Sequence, residues 1–517
     1  MPDQQHSAPI YQRFRQAAVN HPAKLALVVG EHHLTYRTLL AEVDALAAGL
    51  SAAGIGAGQH IGVVLPNCPE FVLLLLAGAR LGAVIVPQSL GLAAEALENT
   101  FRAAEVRHLI VWSGAAGSLS AGTLALAEAG VRLVVGPPRP AWTSLAEVSA
   151  AGRAAPLAAP QLAGELPYLM VLTSGSTGQP KPILLSQRTK ILRAEAAIAL
   201  YGVSAADVTL AATPLYHSLA QRLVLIPLLT GGTSVLMEHF TPATWIDTAR
   251  RHAVSFSIAV SSQLKQILDQ LLAGAQPLPA LRCLVSSSAL LDETTKSRLL
   301  DHLKCEFHEC YGASEIAIAT NLSPSAAARK LGSVGTAIPG TELIIVDADG
   351  QALPSDRTGE IACRTPMLYS GYYAQPTITA ASLNRDGYFR TGDLGRLDSE
   401  GFLYFLGRRK DIIITGGVNI YPKDIEDVIA SHPAIKECAA IPVIDDDLGE
   451  VVGVVIAFAD PEHPPALRDI QRLCMQRLGD FQQPRRFFVV PELPKNAMGK
   501  LDKPSLRQTY STQKNTG

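Results

Sequence analysis

The sequence predicts an α/β protein: a large amino-terminal domain of helix-covered, mostly parallel sheets with a small β-barrel-like subdomain, followed by a small, mobile α+β carboxyl-terminal domain. Three textures carry that expectation. Helix-sized apolar periodicities alternate with short β-branched runs through residues 1–400, the pattern of strands joined by crossover helices. Short strands with frequent turns begin after Gly332. A helix–strand–strand–helix–strand series then fills the stretch from Tyr421 onward, about the size of one compact module.

Taken in order, Leu39 to Ala53 has helical spacing, Ile61 to Leu65 is a short strand, and Phe71 to Leu81 is a buried helix running into the strand Ala83 to Val86. Gly78, Arg80 and Gly82 interrupt that apolar stretch, so it is too broken for a membrane span. Strand-like runs recur at Leu109–Val111, Leu133–Val135, Leu169–Leu172, Val208–Ala212, Ser234–Met237, Phe256–Val260 and Leu281–Ser286. Gly114 to Gln161, rich in Ala, Gly, Pro and Ser, is expected to be a variable surface region. Glu342–Val346, Glu360–Cys363 and Phe402–Phe405 are the strands of the barrel-like piece. The last module reads as helix Asp424–Ser431, strands Cys438–Val443 and Val451–Phe458, helix Leu467–Gln476 and strand Phe487–Val490, with a frayed tail after Gln508.

At 517 residues the chain needs more than one core. Hydrophobic residues at 48% and charged residues at 17% describe a globular enzyme, and a net charge of −2 offers no field for nucleic acid or an anionic membrane. The seven cysteines are scattered with no C-x-x-C pair, which points to a reducing, cytoplasmic setting, and Met1 to Ile10 lacks a signal-peptide layout.

The richest segment is Thr173-Ser174-Gly175-Ser176-Thr177-Gly178-Gln179-Pro180-Lys181, directly after an apolar run. Glycines let backbone N–H groups approach phosphate oxygens, hydroxyls add donors, and Lys181 adds a mobile charge. It is not a Walker A loop, because the lysine follows Gly178 by three positions and comes after a proline. The same composition also suits a plain polar turn between a strand and a helix.

Four further segments follow: Tyr311-Gly312-Ala313-Ser314-Glu315; Arg390-Thr391-Gly392-Asp393; Gly407-Arg408-Arg409-Lys410-Asp411 with Gly416-Gly417-Val418-Asn419-Ile420; and Pro494 to Lys500. In this order and spacing the series resembles the adenylate-forming superfamily of acyl-CoA synthetases, peptide-synthetase adenylation domains and luciferases, with the acid–CoA ligases nearest. The resemblance implies that ATP and a carboxylic acid give an acyl-adenylate and pyrophosphate, and that the acyl group then passes to the thiol of coenzyme A. Both stages need charge neutralised by Mg²⁺ and lysines.

On that resemblance Thr173–Lys181 holds the β- and γ-phosphates, Glu315 ligates Mg²⁺, and Asp393 grips the ribose hydroxyls with help from Arg408. Tyr311 lies against the adenine and Ser286–Leu290, with Ser288, on the ring's other face, with Gly312 and Ser314 in the same turn. A tyrosine in that position is also a common core residue. Lys500 bridges the substrate carboxylate and the α-phosphate. Lys410 is the hinge, dividing residues 1–409 from 410–517, and Gly416 and Gly417 line the pantetheine tunnel. His217, in Pro214-Leu215-Tyr216-His217-Ser218, gates the acid; a structural histidine is the alternative.

The His217 segment lacks the aspartate that pairs with an amino acid's ammonium group, so a simple acid is favoured. The sequence departs from the family at Pro182, at Gln187 where histidine is common, at Ser314, and at the serines Ser286–Ser288, which crowd the acyl pocket against a long chain. The expected substrate is an aromatic or short-to-medium acid, handled by a monomer or homodimer. An acyl carrier protein as thiol donor and a non-catalytic nucleotide-binding regulator are the alternatives.

Overall fold

The computed structural model describes residues 9–158, 164–174, 180–274, 277–445, 447–495 and 501–512. Local signals set many helix starts. Thr35, Ser186, Asp292 and Asp502 each accept a hydrogen bond from the backbone N–H three residues on, which satisfies a donor that the first helical turn leaves open.

The chain divides into two compact units. The first comprises Met1–Arg329, Ala337–Glu342 and Arg364–Leu383, and the second Lys330–Thr336, Leu343–Cys363 and Asn384–Gly517. A seven-stranded sheet runs Thr143–Ser144, Arg132–Val135, His108–Trp112, His60–Val64, Val84–Pro87, Pro167–Ser174, Pro180–Ser186. Its pairs are parallel except the last. A nine-stranded sheet runs Thr336–Ala337, Ala317–Leu322, Glu306–Ala313, Cys283–Ser287, Phe256–Val260, Val208–Ala211, Thr233–Leu236, Leu25–Val29, His32–Thr35. Its central pairs are parallel. Strands such as Val84–Pro87 and Phe256–Val260 are buried along their whole length, which is why they read as unbroken apolar runs.

Two expectations change here. Gly114 to Gln161 is not merely a surface region. It supplies Arg132–Val135 and Thr143–Ser144 to the seven-stranded sheet, and the helix Leu145–Ala154 buries Leu145 and Val148 while packing on Tyr36–Ala52. The phosphate-like segment also does not lead straight from a strand to a helix. Pro167–Ser174 and Pro180–Ser186 pair antiparallel, Thr173 opposite Lys181, and the helix starts only at Gln187. Two prolines hid that strand; it tolerates them because it is the last in its sheet.

In the second unit a four-stranded sheet runs Glu342–Val346, Gly359–Arg364, Phe389–Leu397, Leu403–Arg408. The carboxyl-terminal module has Ile435–Asp445 and Gly449–Phe458 as a long antiparallel pair, with Arg486–Val489 parallel to the latter. The helix Pro422–Ala430 packs on Ile435–Asp445 and Leu467–Arg477 packs on that helix. Ile425, Ile429, Val454, Ile456 and Ile470 form the core between them. The tail is ordered further than expected: Lys503–Tyr510 is a helix with Leu506 buried, and the Ser511 hydroxyl donates to the Pro442 carbonyl.

Candidate active site

In the first unit, the outer side of the edge strand Pro180–Ser186 is covered by residues 370–373. Ser370 N–H donates to Leu184 O, Leu184 N–H to Gly371 O, and Tyr373 N–H to Pro182 O, at 2.8, 3.0 and 2.8 Å. This pairing carries Tyr372 to Glu315, whose Oε1 accepts the tyrosine hydroxyl at 2.9 Å. Lys181 Nζ stands 5.7 Å from the centre of the same ring. Burial first, and then the adjacent Glu315 charge, hold the Tyr372 phenol far above its ordinary pKa, so it stays a donor. Lys181 and Glu315, both expected at the site, are thus joined through a residue that the sequence reading missed.

Glu315 sits at the tip of the hairpin Glu306–Ala313 and Ala317–Leu322. The hairpin is tight: a Cβ built on Gly312 would lie 1.6 Å from the Ala317 carbonyl oxygen. Gly312 therefore has a packing reason to be glycine, whatever else approaches it. The tip is fixed from beneath by buried Arg193, which donates to Ser314 O, Glu315 O and Met367 O at 2.9, 2.7 and 2.9 Å. Tyr311 is buried and Ser314 half-buried.

Ser288 takes a left-handed φ of 77°, an uncommon conformation for a non-glycine residue that marks a constrained loop. Ser261 donates to Ala289 O, and Leu291 N–H donates to Glu309 Oε1 at 2.9 Å. Glu309 in turn meets Lys296 at 2.6 Å, both 1% exposed. His217 is half-buried at the start of Ser218–Thr230, its ring centre 4.3 Å from that of Tyr216. The loop before it is pinned by buried Asn67, which donates to Thr213 O and Met237 O and accepts from Leu215 N–H. Gln187 is fully buried, accepting from Ile10 N–H and donating to Ala79 O, a structural anchor.

In the second unit, Asp393 and Arg408 are cross-strand partners, with Arg408 Nε 3.6 Å from Asp393 Oδ1. Asp393 is buried whereas Arg408 is exposed. Buried Glu360 organises the turn: Oε1 accepts Gly392 N–H at 3.0 Å, and Oε2 meets Arg390 at 2.6 Å and Arg409 at 3.3 Å. Lys410 lies in the short turn Arg409–Asp411; its carbonyl accepts from Arg507, which also pairs with Asp411 at 3.0 Å. Gly416 and Gly417, at φ 56° and 82°, form the two-residue turn between Ile413–Thr415 and Val418–Ile420, the mirror-image turn that matches strand twist. Lys495 pairs with Leu501 as an isolated antiparallel bridge and with Glu437 at 2.7 Å. Lys500, together with Gly175, Ser176, Thr177 and Gly178, lies outside the described residues, as do the side chains of Thr173 and Ser174.

A hard divalent cation fits the first-unit cluster by the chemistry of its donors. Glu315 Oε1 is held by Tyr372, and Oε2 makes no hydrogen bond among the described residues, leaving a carboxylate oxygen of the kind such ions prefer.

The family model described as AMP-binding enzyme matches residues 14–373, and that of the AMP-binding enzyme C-terminal domain matches residues 424–500. Indoleacetate–CoA ligase of Aromatoleum aromaticum is 32% identical, covering 94% of this chain and 95% of that protein. Sulfoacetate–CoA ligase of Cupriavidus necator is 31% identical, over 91% of this chain and 92% of the relative. Among solved structures, ATP-bound MatB from Rhodopseudomonas palustris superposes with a TM-score of 0.89 at 26% identity, covering 98% of this chain and 99% of that one. With both parts matched and the order of motifs intact, the chain belongs to the AMP-binding, adenylate-forming enzyme family.

Proposed function

We propose that this protein activates a small carboxylic acid with ATP and transfers the acyl group to coenzyme A. It is an AMP-forming acid–CoA ligase, and the observation that best supports the site assignment is the Lys181–Tyr372–Glu315 cluster. A cation and an anion held against one tyrosine suit a triphosphate with its metal: Lys181 would meet phosphate charge while Glu315 would hold Mg²⁺. When bound there, Mg²⁺ would supply positive charge to offset that of the pyrophosphate.

The remaining steps fall to the chain's own groups. Tyr372 and Arg193 fix Glu315, the one through its carboxylate and the other through its backbone. Asp393, kept in place by the Glu360 turn, accepts the ribose hydroxyls, with Arg408 beside it. Tyr311 and the Ser288 loop border the adenine, and His217 stands where the acid enters. Lys500 brings positive charge to the carboxylate as it attacks the α-phosphate. Residues 410–517 then turn as a domain about Lys410, withdrawing Lys500 and presenting Gly416 and Gly417 to the pantetheine arm. The thiol attacks the acyl carbon and AMP leaves.

The substrate is an aromatic or short acid, in keeping with the indoleacetate and sulfoacetate ligases among the relatives. Incubation with ATP, Mg²⁺, coenzyme A and a panel of acids tests the proposal: AMP and a thioester are expected, whereas ADP excludes the mechanism. Saturation by free coenzyme A separates this reading from loading of a carrier protein.

A further inference from the structure

Three basic side chains lie close together behind the acid-handling segment. Lys190 and Arg193 are on Gln187–Tyr201 and Arg222 is on Ser218–Thr230. Lys190 and Arg193 are only 4% and 2% exposed. Lys190 donates to Gln221 Oε1 at 3.2 Å, and Arg193 is engaged with the backbone under Glu315. Among the described residues none of the three forms an ion pair with a carboxylate; Glu315 is the acid whose charge reaches Arg193. Uncompensated positive charge in a buried setting is costly, and it persists where it has work to do.

Arg222 is the member left unengaged. Its guanidinium makes no hydrogen bond with any described residue. Its side chain is half-buried and keeps accessible surface, so it is not wholly packed into core. Ser218, one helical turn before it, is half-buried in the same way. Across from Arg222 stand the Tyr201 hydroxyl and the Cys310 thiol, which contacts Ser287. Ser286 pairs with Glu309 in the sheet, so Ser287 and Cys310 stand side by side on its other face. Ser218, Ser287 and His217 all belong to the segments expected to line the acid pocket. Arg222, on the helix that begins at Ser218 and across from Cys310 and Ser287, therefore borders the segments expected to line that pocket.

We infer that Arg222 receives a second anionic group on the substrate, which makes the preferred acid a short one carrying a further carboxylate or sulfonate. The inference rests on the acid–CoA ligase reading and gives its substrate a chemical class. A guanidinium offers a fork of donors matched to either oxyanion, and Arg193 adds to the field behind it. Arg222 lies five residues beyond His217, about 7.5 Å along a helix axis, which suits a spacer of a few carbon atoms. A second anion supplies the missing counter-charge, while an uncharged tail leaves it missing.

The test uses matched acids: glutarate against pentanoate, adipate against hexanoate, and 3-sulfopropionate against butyrate. Each is assayed for acid-dependent pyrophosphate release and, separately, for binding by calorimetry without nucleotide. The expected result is a kcat/KM at least tenfold higher for the dianionic member of at least one pair, a ratio that collapses towards unity in Arg222→Gln and partly returns in Arg222→Lys. Whether the carboxylate or the sulfonate pair shows the larger ratio identifies the anion. Turnover with no preference for the second anion, or a ratio unchanged in Arg222→Gln, overturns the inference and leaves the ligase reading standing. Arg222-dependent binding of a dianion without AMP formation from any acid keeps the anion site and removes the ligase reading. Neither binding nor turnover across the panel overturns both.

Discussion

Replacing Lys296 with methionine strands the carboxylate of Glu309. The two groups meet at 2.6 Å with 1% exposure each, so little water is available to take over from the ammonium. The other carboxylate oxygen accepts the Leu291 N–H, and the pair thereby fixes the end of the loop that carries Ser288. Breaking a buried pair by removing one partner costs about 3–5 kcal/mol. At roughly 2–4 °C per kcal/mol for a large domain, the unfolding midpoint drops by about 6–20 °C. Adding Glu309→Gln removes the stranded charge while its amide oxygen still accepts from Leu291, so the double variant recovers to within about 1 kcal/mol of the parent. Thermal and urea unfolding of the parent, Lys296→Met and the double variant measure this, together with the KM for ATP at a temperature where all three are folded. A loss below about 1 kcal/mol in the single variant refutes the reasoning. So does a double variant no more stable than the single.

Tyr372→Phe removes a hydrogen bond to a charged group, worth about 1.5–3 kcal/mol; the KM for Mg²⁺–ATP rises about tenfold or more while that for the acid moves little, as read from acid-dependent pyrophosphate exchange. Gly417→Val forces a β-branched residue to a φ of 82°, a strain of about 1–2 kcal/mol or more; thioester yield falls further than first-turnover pyrophosphate release, and equal losses contradict a tunnel role. Lys500→Ala abolishes acid-dependent pyrophosphate exchange and largely spares thioester formation from supplied acyl-adenylate; equal loss of both stages contradicts the two-conformation account.

The sequence exposed what is local and hid what is joined across distance. Turn chemistry made the segments around Gly312, Gly392 and Gly416–Gly417 conspicuous, and β-branched runs marked the fully buried strands. The bonds that orient those segments span long separations: Tyr372 to Glu315 bridges 57 residues, Arg193 to Met367 bridges 174, and Asn67 to Met237 bridges 170. No periodicity reports such a contact. Tyr372 left one trace, the aromatic run Tyr369-Ser370-Gly371-Tyr372-Tyr373, but nothing in it names Glu315 as its partner.

Errors had physical causes as well. Pro180 and Pro182 concealed an edge strand, and small residues in Leu145–Ala154 read as surface although they allow close packing against Tyr36–Ala52. The final helix carries a readable local signal. Asp502 and Pro504 are a capping residue and a first-turn proline, ahead of the buried Leu506. Arg222 was invisible for another reason: an arginine on an amphipathic helix reads as solvated until the packing around it is known.

The central claim is that a carboxylate oxygen of the acid becomes bonded to the α-phosphorus of ATP. Turnover of an acid labelled with oxygen-18 in its carboxylate, with mass analysis of the nucleotide product, tests it directly. The account predicts one labelled oxygen per AMP phosphate, because the thiol breaks the acyl carbon–oxygen bond. Label found in inorganic phosphate, with AMP unlabelled, contradicts it.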